Sequence, residues 1–415
     1  MKTFRNVMDV SSWRLCVGCG ACAYICPEEN VRIVDVTDDG LRPLLEQAAC
    51  KGCASCLAVC PGLHIEHAAR GRPGGDDTGR SWGTVLETWE GFSTDEEIRY
   101  RGSSAGLATA IGLYCVEKAG MHGVLHIGAD PDAPVRNRTC LSVDRAGLLG
   151  RTGSRYSPAS PCDGLGRIET ASAPCVFIGK PCDVAGLRKA QSLRETLDRR
   201  VGIAIGIFCA GTPSTRGTLD LLRKARIEPR EVAEIRYRGK GWPGMAEMRR
   251  AGEDSPSFRM SYEESWGFLQ QYRPFRCYLC PDGTGEFSDI SCGDPWYREP
   301  RAGEAGSSLV LVRTERGRKI LQGAMADGYV QLTRVPDGLL EASQRNLLQK
   351  RRSVWGRILA MKAMLVPFPD MKGFHLFSNW LDGDLGTKAR SVIGTAKRIV
   401  VRGYHKPYRY GDITL

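Results

Sequence analysis

Two cysteine-rich runs near the N-terminus have the residue spacing of iron–sulfur cluster ligands. Residues 16–27 read CVGCGACAYICP, and residues 50–61 read CKGCASCLAVCP. Both follow C-x2-C-x2-C-x3-C-P, in which three closely spaced thiolates surround one cubane cluster and the fourth cysteine ligates the other cluster. The spacing therefore predicts two [4Fe-4S] clusters, with the ligands Cys16, Cys19, Cys22 and Cys60 for one and Cys50, Cys53, Cys56 and Cys26 for the other.

The residues around these cysteines suit a cluster better than zinc. A zinc site needs four ligands, and two identical four-cysteine runs that end in Cys-Pro fit zinc knuckles poorly. Small residues such as Gly18 and Gly52 between the cysteines let the backbone approach a cube. Between the runs, VRIVDV alternates like a strand and DDG predicts a turn. Residues 1–67 are therefore predicted to be a bacterial-type two-cluster ferredoxin module, which conducts electrons.

Four later cysteines lie at ends of predicted strands or in a CxxC pair. Cys182 follows the predicted strand 175–180 and opens a helix, Cys209 ends the predicted strand 201–209, and Cys277 and Cys280 lie in RCYLCPD. Their spacing leaves two interpretations open, one shared metal site or scattered buried thiols. Five cysteines follow no such pattern and are left as core or unexplained residues: Cys115, Cys140, Cys162, Cys175 and Cys292.

A glycine- and serine-rich loop runs directly into an apolar segment at residues 101–120, RGSSAGLATAIGLYCVEKAG. Free N–H groups at the start of a helix suit a phosphate or pyrophosphate, although Ser104 would also serve as an ordinary N-cap. The chain contains neither a G-x-G-x-x-G after a strand nor a Walker loop, so those two nucleotide-binding fingerprints are excluded.

The elements that must position these residues alternate between strand and helix patterns. Residues 68–80, rich in Gly, Arg and Asp, are predicted to be a linker. Beyond it, strands are predicted at 123–129, 175–180, 201–209 and 307–314, with helices at 104–120 and 183–200 and a further helix after the last strand. We therefore predict an α+β protein in which a mixed α/β domain, residues 81–345, follows the ferredoxin module.

Composition and charge limit the remaining possibilities. The 415 residues include 17 cysteines, an odd number that favours metal ligation over disulfides in a reducing compartment. The N-terminus lacks the apolar stretch of a signal peptide, and we expect a cytoplasmic protein, with peripheral contact to the inner membrane face left open. Of the net charge of +11, residues 346–415 carry +9, from thirteen Lys or Arg and four Asp.

This basic C-terminal extension, residues 346–415, is predicted to face an acidic protein or an anionic membrane, or to be plain solvated surface; nucleic acid is the weaker alternative. Its segment KRRSVWGRILAMKAMLV (350–366) suits an amphipathic helix on a membrane or partner. His64 and His67, just after the second cysteine run, are predicted to be surface residues.

The domain after the linker resembles a known family, the beta subunits of coenzyme F420-reducing hydrogenase and F420-dependent dehydrogenases. The resemblance rests on seven blocks in one order: RGSSAGLATA, TGSRYSP, FIGKPCDVAGLRK, IGIFCAG, RYRGKGWPG, RCYLCPD and SDISCGDPW. It implies a third [4Fe-4S] cluster on Cys182, Cys209, Cys277 and Cys280. It also implies an FAD site formed by Ser103, Ser104, Ala105, Gly106, Gly153, Ser154, Tyr156 and Lys180, with Asp294 and Trp296 nearby.

What the resemblance implies is an iron–sulfur flavoprotein oxidoreductase that exchanges hydride with an F420-type deazaflavin and passes single electrons to a redox partner such as ferredoxin or another subunit. The complete eight-cysteine module is more similar to the input subunit of a membrane-linked F420H2 dehydrogenase. Two other functions remain open at this point, a ferredoxin-dependent reductase of an organic biosynthetic substrate and a non-catalytic electron-transfer subunit. No catalytic residue is assigned.

Overall fold

The computed structural model describes residues 4–46, 49–67, 77–301, 303–336 and 338–408. Most of the predicted linker, residues 68–76, lies outside the described residues, and so do residues 409–415 of the basic extension. None of the helices in the described ranges is long and apolar enough to cross a membrane.

Fifteen strands are described. They are β1 (Val31–Val36), β2 (Gly40–Leu45), β3 (His64–Glu66), β4 (Glu87–Ser93), β5 (Val124–Ala129), β6 (Asn137–Ser142), β7 (Cys175–Gly179), β8 (Val201–Ile207), β9 (Val232–Arg236), β10 (Met245–Arg250), β11 (Phe258–Ser261), β12 (Ile290–Gly293), β13 (Ser308–Val312), β14 (Val330–Arg334) and β15 (Asp370–Lys372).

Eighteen α-helices accompany them. They are α1 (Val7–Ser12), α2 (Ala21–Ile25), α3 (Ser55–Ala58), α4 (Asp77–Trp82), α5 (Glu96–Arg101), α6 (Leu107–Glu117), α7 (Arg145–Leu149), α8 (Leu165–Glu169), α9 (Pro181–Gln191), α10 (Glu195–Arg200), α11 (Thr215–Ala225), α12 (Tyr262–Leu269), α13 (Phe275–Tyr278), α14 (Glu315–Ala326), α15 (Gly338–Ser343), α16 (Arg345–Ala363), α17 (Leu376–Leu381) and α18 (Leu385–Val401).

An eight-stranded sheet forms the centre of the molecule, with strand order β14-β4-β13-β12-β8-β7-β5-β6. Its middle strands β12, β8, β7 and β5 run parallel, and the outer strands pair antiparallel. The middle strands are apolar because helices cover both faces; all four residues of β12 are buried. The carboxyl ends of β7 and β8 therefore lie side by side, where ligands meet in open α/β sheets.

Two predicted helices have different bounds in the structure. The predicted helix 183–200 is divided into α9 and α10, because Arg194 adopts an extended conformation between them. The predicted helix 104–120 begins only at Leu107, since the three preceding residues have positive φ angles. The predicted strands at 31–36, 123–129, 175–180, 201–209 and 307–314 are confirmed, each with an end shifted by at most two residues.

The N-terminal module and the basic extension are packed together rather than separate. β15 pairs in parallel with β3, so that Asp370 lies opposite His64. One apolar cluster joins Leu15 of the module, Leu279 of the central domain and Ile399 of the extension. The three predicted regions consequently share a core.

Candidate functional site

Four cysteines of the N-terminal module surround one small cavity. Cys16, Cys19, Cys22 and Cys60 line a space of about 20 Å³, and we call them the inner cysteine set. Cys60 comes from the second run and the other three come from the first. The structure thus places Cys60 of the second run beside the three cysteines of the first run.

The remaining cysteines of the two runs, Cys26, Cys50, Cys53 and Cys56, form the outer cysteine set. Cys56 lies close enough to Cys53 and Cys26 that each raises its pKa, after the larger effect of burial. Cys50 and Cys53 are exposed. The outer set is therefore the one that a partner can approach directly.

The backbone turns tightly beside each set. Gly20 and Ala54 occupy equivalent places, each in the left-handed conformation immediately before a short helix, with φ angles of +88° and +61°. A Cβ atom on Gly20 would lie 2.8 Å from the backbone nitrogen of Asp163, so this position accepts only glycine. Cys162 donates its backbone N–H to the carbonyl of Cys19, which ties the module to the central domain at this point.

A second cavity, of about 70 Å³, lies between the module and the central domain. Cys182, Cys209, Cys277 and Cys280, the third cysteine set, all line it. Cys182 opens α9, Cys209 follows β8, and the CxxC pair lies in and after α13. Cys16 of the inner set lines the same cavity, so it borders both spaces.

Burial governs the chemistry of the third set. It raises the pKa of Cys182 well above its usual range and the pKa of Cys209 to about 11. Buried thiols of this kind stay protonated unless a metal takes up the charge of the thiolate. Four sulfur donors around one cavity fit a metal–sulfur cluster.

No group of three or more His, Cys, Asp or Glu side chains in the described ranges is arranged to hold a metal ion.

Two lysines place positive charge at the wall of this cavity. Lys180 Nζ lies 2.6 Å from Asp183 Oδ2 and 3.3 Å from the carbonyl of Ala159, and Lys350 Nζ lies 3.4 Å from the carbonyl of Cys209. Burial would lower the pKa of Lys180, but Asp183 outweighs it and raises that pKa. Lys180, which the family resemblance assigns to FAD, thus lies at the wall of the cavity that the third cysteine set lines.

The glycine- and serine-rich loop has an unusual backbone. Ser104, Ala105 and Gly106 have successive φ angles of +50°, +58° and +70°, directly before α6. The N–H of Gly106 donates to the carbonyl of Ser103. The N–H groups in the first turn of the helix that follows have no partner within the helix, and such groups suit an anion. Ser103 Oγ accepts a hydrogen bond of 2.8 Å from the backbone of Ser154, so the loop contacts the Gly153–Ser154 turn.

Beside this loop lies a charged and aromatic group around the buried Arg238. This Arg238 cluster is made of Tyr156, Arg238, Trp242, Tyr262, Asp294 and Trp296. Arg238 donates two hydrogen bonds to Asp294, of 2.7 and 2.8 Å. Trp242 and Tyr262 both stack on Trp296, with ring centroids 5.4 Å away. Ser104 Oγ donates to the carbonyl of Gly293, which joins the loop to the cluster. Hydrogen bonds thus connect the loop both to the Gly153–Ser154 turn and to the Arg238 cluster.

Arg238 and Tyr262 were not predicted to be site residues from the sequence. Arg238 lies in the block RYRGKGWPG, where a basic residue beside aromatic ones was the available signal. Burial would lower the pKa of Arg238, but Asp294 raises it well above its usual value, so the guanidinium stays charged.

The two histidines differ in exposure. His64 is partly exposed beside Asp370, at 3.0 Å. His67, predicted to be a surface residue, is largely buried: its ring stacks on Phe287, and its Nε2 lies 2.9 Å from Glu286 Oε2. That prediction was wrong for His67, because an acidic residue more than two hundred positions away holds it inside.

A helix, α16, is present where the amphipathic segment 350–366 was predicted, but it spans Arg345–Ala363 and most of its surface packs inside this chain. Arg351 forms a buried ion pair with Glu286, and Arg357 donates to the carbonyl of Tyr278, between the two CxxC cysteines.

All five unassigned cysteines are buried. Cys115, Cys140, Cys175 and Cys292 lie in the core, and Cys162 lies against Cys19.

Two halves of one family match the central domain. Residues 88–165 match "Coenzyme F420 hydrogenase/dehydrogenase, beta subunit N-term", and residues 174–337 match the corresponding C terminus. Residues 15–63 match the 4Fe-4S dicluster domain. The basic extension lies beyond all three matches.

Two similar proteins are named as beta subunits of F420 enzymes. The coenzyme F420 hydrogenase subunit beta of Methanosarcina barkeri is 25% identical over 249 residues, 58% of this chain and 78% of the relative. The F420-dependent formate dehydrogenase subunit beta of Methanocaldococcus jannaschii is 23% identical over 255 residues, 61% of this chain and 63% of the relative.

A solved structure has a similar fold. A chain of the F420-reducing [NiFe] hydrogenase complex from Methanosarcina barkeri superposes with a TM-score of 0.53 at 21% identity. The superposition covers 68% of this chain and 94% of that one.

Proposed function

Because the chain belongs to the coenzyme F420 hydrogenase/dehydrogenase beta subunit family and carries a 4Fe-4S domain, we propose that it is an FAD-dependent oxidoreductase that joins hydride exchange with an F420-type deazaflavin to single-electron transfer. The observation that carries the proposal is Cys16, which borders the cavities of two cysteine sets. Its position supports one continuous route between the central domain and the exposed outer set.

In this proposal each cysteine set holds one [4Fe-4S] cluster. The inner set lies in the middle of the route, since it shares a cavity wall with the third set and Cys22 packs in the same apolar cluster as Cys26 and Cys56 of the outer set. The third set receives electrons from the central domain, and the outer set delivers them to a partner protein. The reverse direction uses the same route.

The left-handed loop at Ser103–Gly106 and the Arg238 cluster would hold FAD. The loop offers backbone N–H groups to the pyrophosphate, and the cluster supplies a buried cation and a wall of stacked rings. When bound, FAD supplies the exchange between two-electron hydride chemistry and single electrons. Asp294 keeps Arg238 charged and fixed in orientation, and the stacked rings exclude water from the site.

Cofactor analysis of anaerobically purified protein tests the proposal. We expect about twelve iron atoms and one FAD per chain, and rapid bleaching of the flavin by a reduced deazaflavin. Bleaching by reduced ferredoxin alone would favour a ferredoxin-dependent reductase. A preparation with full iron and no flavin would favour a non-catalytic electron-transfer subunit. A preparation with zinc and no iron would contradict all three functions.

Lys350 provides a prediction specific to this chain, because it belongs to the extension beyond the family match. A cation at the wall of the third cavity stabilises the reduced, more negative cluster. Lys350→Met is expected to lower the midpoint potential of that cluster by about 60 mV, a tenfold less favourable one-electron reduction. Redox titration monitored by electron paramagnetic resonance measures the shift.

Two further variants control this experiment. Lys362→Met removes an exposed lysine from the same helix and is expected to leave the potential unchanged. Lys350→Arg keeps the charge and is expected to restore most of the potential. An unchanged potential in Lys350→Met would show that the lysine has no electrostatic role at the third set.

A further inference from the structure

The last long helix, α18, has an inverted distribution of polar and apolar residues. Its buried side carries Thr387, Ser391 and Thr395, together with Ile399 near its end. Its exposed side carries aliphatic residues, and Leu385, Ile393 and Val401 are 82%, 67% and 71% exposed. A surface helix ordinarily turns its apolar side inward, so this arrangement requires an explanation.

The buried hydroxyl groups are fully used inside the protein. Thr387 Oγ1 donates to Asp384 and accepts from Gln349 of α16, at 2.6 Å each. Ser391 accepts a hydrogen bond from Trp380 Nε1 at 3.2 Å, and it packs where Gly356 of α16 has no side chain. These contacts fix the rotation of α18, so its apolar side is held outward.

The exposed apolar residues are concentrated in this part of the molecule. Eight of the thirteen large apolar side chains that are exposed in the described ranges lie between residues 359 and 401. Near the start of α18, Trp355 contacts Phe377 and Trp380, at ring distances of 4.9 and 4.6 Å. Clustered exposed apolar residues mark an interaction surface.

From Leu385 onward, the charged residues along this helix all have one sign. Residues 385–406 contain six Lys or Arg and no Asp or Glu. Arg390, Lys397, Arg402 and Lys406 are exposed. Long basic side chains can extend from the edges of an apolar helix face to anionic groups while their stems stay in apolar contact.

We propose that the outer face of α18, made of Leu385, Ala389, Ile393, Val400 and Val401 with Arg390 and Lys397, docks on an anionic membrane surface. The helix lies flat on the protein, its aliphatic residues enter the interfacial layer, and its basic residues contact lipid phosphates. The helix that the sequence suggested for this role, α16, is instead packed inside the chain.

Flotation of the full-length holoprotein with vesicles tests this. Vesicles of phosphatidylcholine mixed with phosphatidylserine are expected to bind the protein at low salt, and vesicles of phosphatidylcholine alone to bind it much less. Ile393→Ser is expected to weaken binding about tenfold. Arg390→Gln combined with Lys397→Gln is expected to weaken it about twentyfold and to remove most of the salt dependence.

Leu193→Ser, an exposed apolar residue between α9 and α10, is the matched control and is expected to bind as the unchanged protein does. Iron and flavin contents are measured on every sample, so a failure of the proposed function is distinguished from a failure of docking. Binding that persists in Ile393→Ser would overturn the proposal. Absence of vesicle binding would also overturn the proposal. If the protein did not bind vesicles and were a dimer that Ile393→Ser dissociates, the outer face of α18 would bind a second copy of this chain.

Discussion

Replacing Cys182 with serine is expected to remove about four iron atoms per chain and leave the other eight in place. Cys182 is one of four thiols that line the third cavity, and it lies at the start of α9, where no other described cysteine of the set can replace it. Under the proposed function, the flavin should still be reduced by a hydride donor, but its electrons should no longer reach the inner and outer sets. Iron and sulfide analysis and the reduction of an external one-electron acceptor measure the two effects.

Cys175→Ser is the matched control for this experiment. Cys175 lies at the start of β7, which leads into α9, and its Sγ contacts only the carbonyl of Ala173 among its described hydrogen-bond partners. Serine can keep that contact, so iron content and electron transfer should not change. Full iron content in Cys182→Ser would refute the assignment of the third set.

Replacing Arg351 with methionine is expected to lower the free energy of unfolding by about 3–5 kcal/mol. Arg351 and Glu286 are 3% and 1% exposed, so the variant leaves a buried carboxylate that has lost its strongest cationic partner and keeps His67 and the weaker attraction of Arg313. The urea midpoint under anaerobic conditions measures the loss. Arg352→Met removes a neighbouring arginine whose pair with Glu341 is largely exposed, and its effect should stay within about 1 kcal/mol.

A double variant separates the charge from the packing. Arg351→Met combined with Glu286→Gln removes the uncompensated charge and should recover part of the lost stability. If the single variant were as stable as the unchanged protein, the pair would not anchor the extension.

The stabilisation by the Arg351–Glu286 pair also depends on pH. Burial would raise the pKa of Glu286, but Arg351 and His67 lower it to about 2. A carboxyl whose pKa is depressed by folding stabilises the protein above its ordinary pKa, and this contribution is lost as the pH falls through the depressed value. The stabilisation by the pair should therefore be fully present above about pH 5. The difference in urea midpoint between the unchanged protein and Arg351→Met should shrink as the pH falls, because burial raises the pKa of the carboxyl that is left without Arg351, and that carboxyl takes up a proton.

Local sequence patterns predicted the features of the site that depend on residues close together in the chain. The two cysteine runs specify their own turns, and the exchange of Cys60 and Cys26 follows from the motif. Positions at the ends of β7 and β8 suggested that Cys182 and Cys209 meet, because parallel strands end at one edge of a sheet. The prediction that the CxxC pair joins Cys182 and Cys209 required the family resemblance, because no local pattern relates α13 to those strands.

Features that depend on distant contacts were not predictable. His67 was interpreted as a surface residue because nothing near it in sequence indicates Glu286 or Phe287. Lys350 belongs to a segment that periodicity describes only as amphipathic, and its place beside Cys209 results from how α16 packs. The rotation of α18 depends on hydrogen bonds to α16 and α17, which its own hydrophobic pattern cannot reveal.

The pairing of β15 with β3 has a consequence for synthesis on the ribosome. Some 300 residues separate the two strands, so at about 5–20 residues per second the first strand waits about 15–60 s for the second. During this interval the nascent module lacks the extension residues that pack beside Cys60, among them Met361 and Ile399. Its cysteines are therefore open to the iron–sulfur assembly apparatus, and to oxygen, until the C-terminal end of the chain emerges.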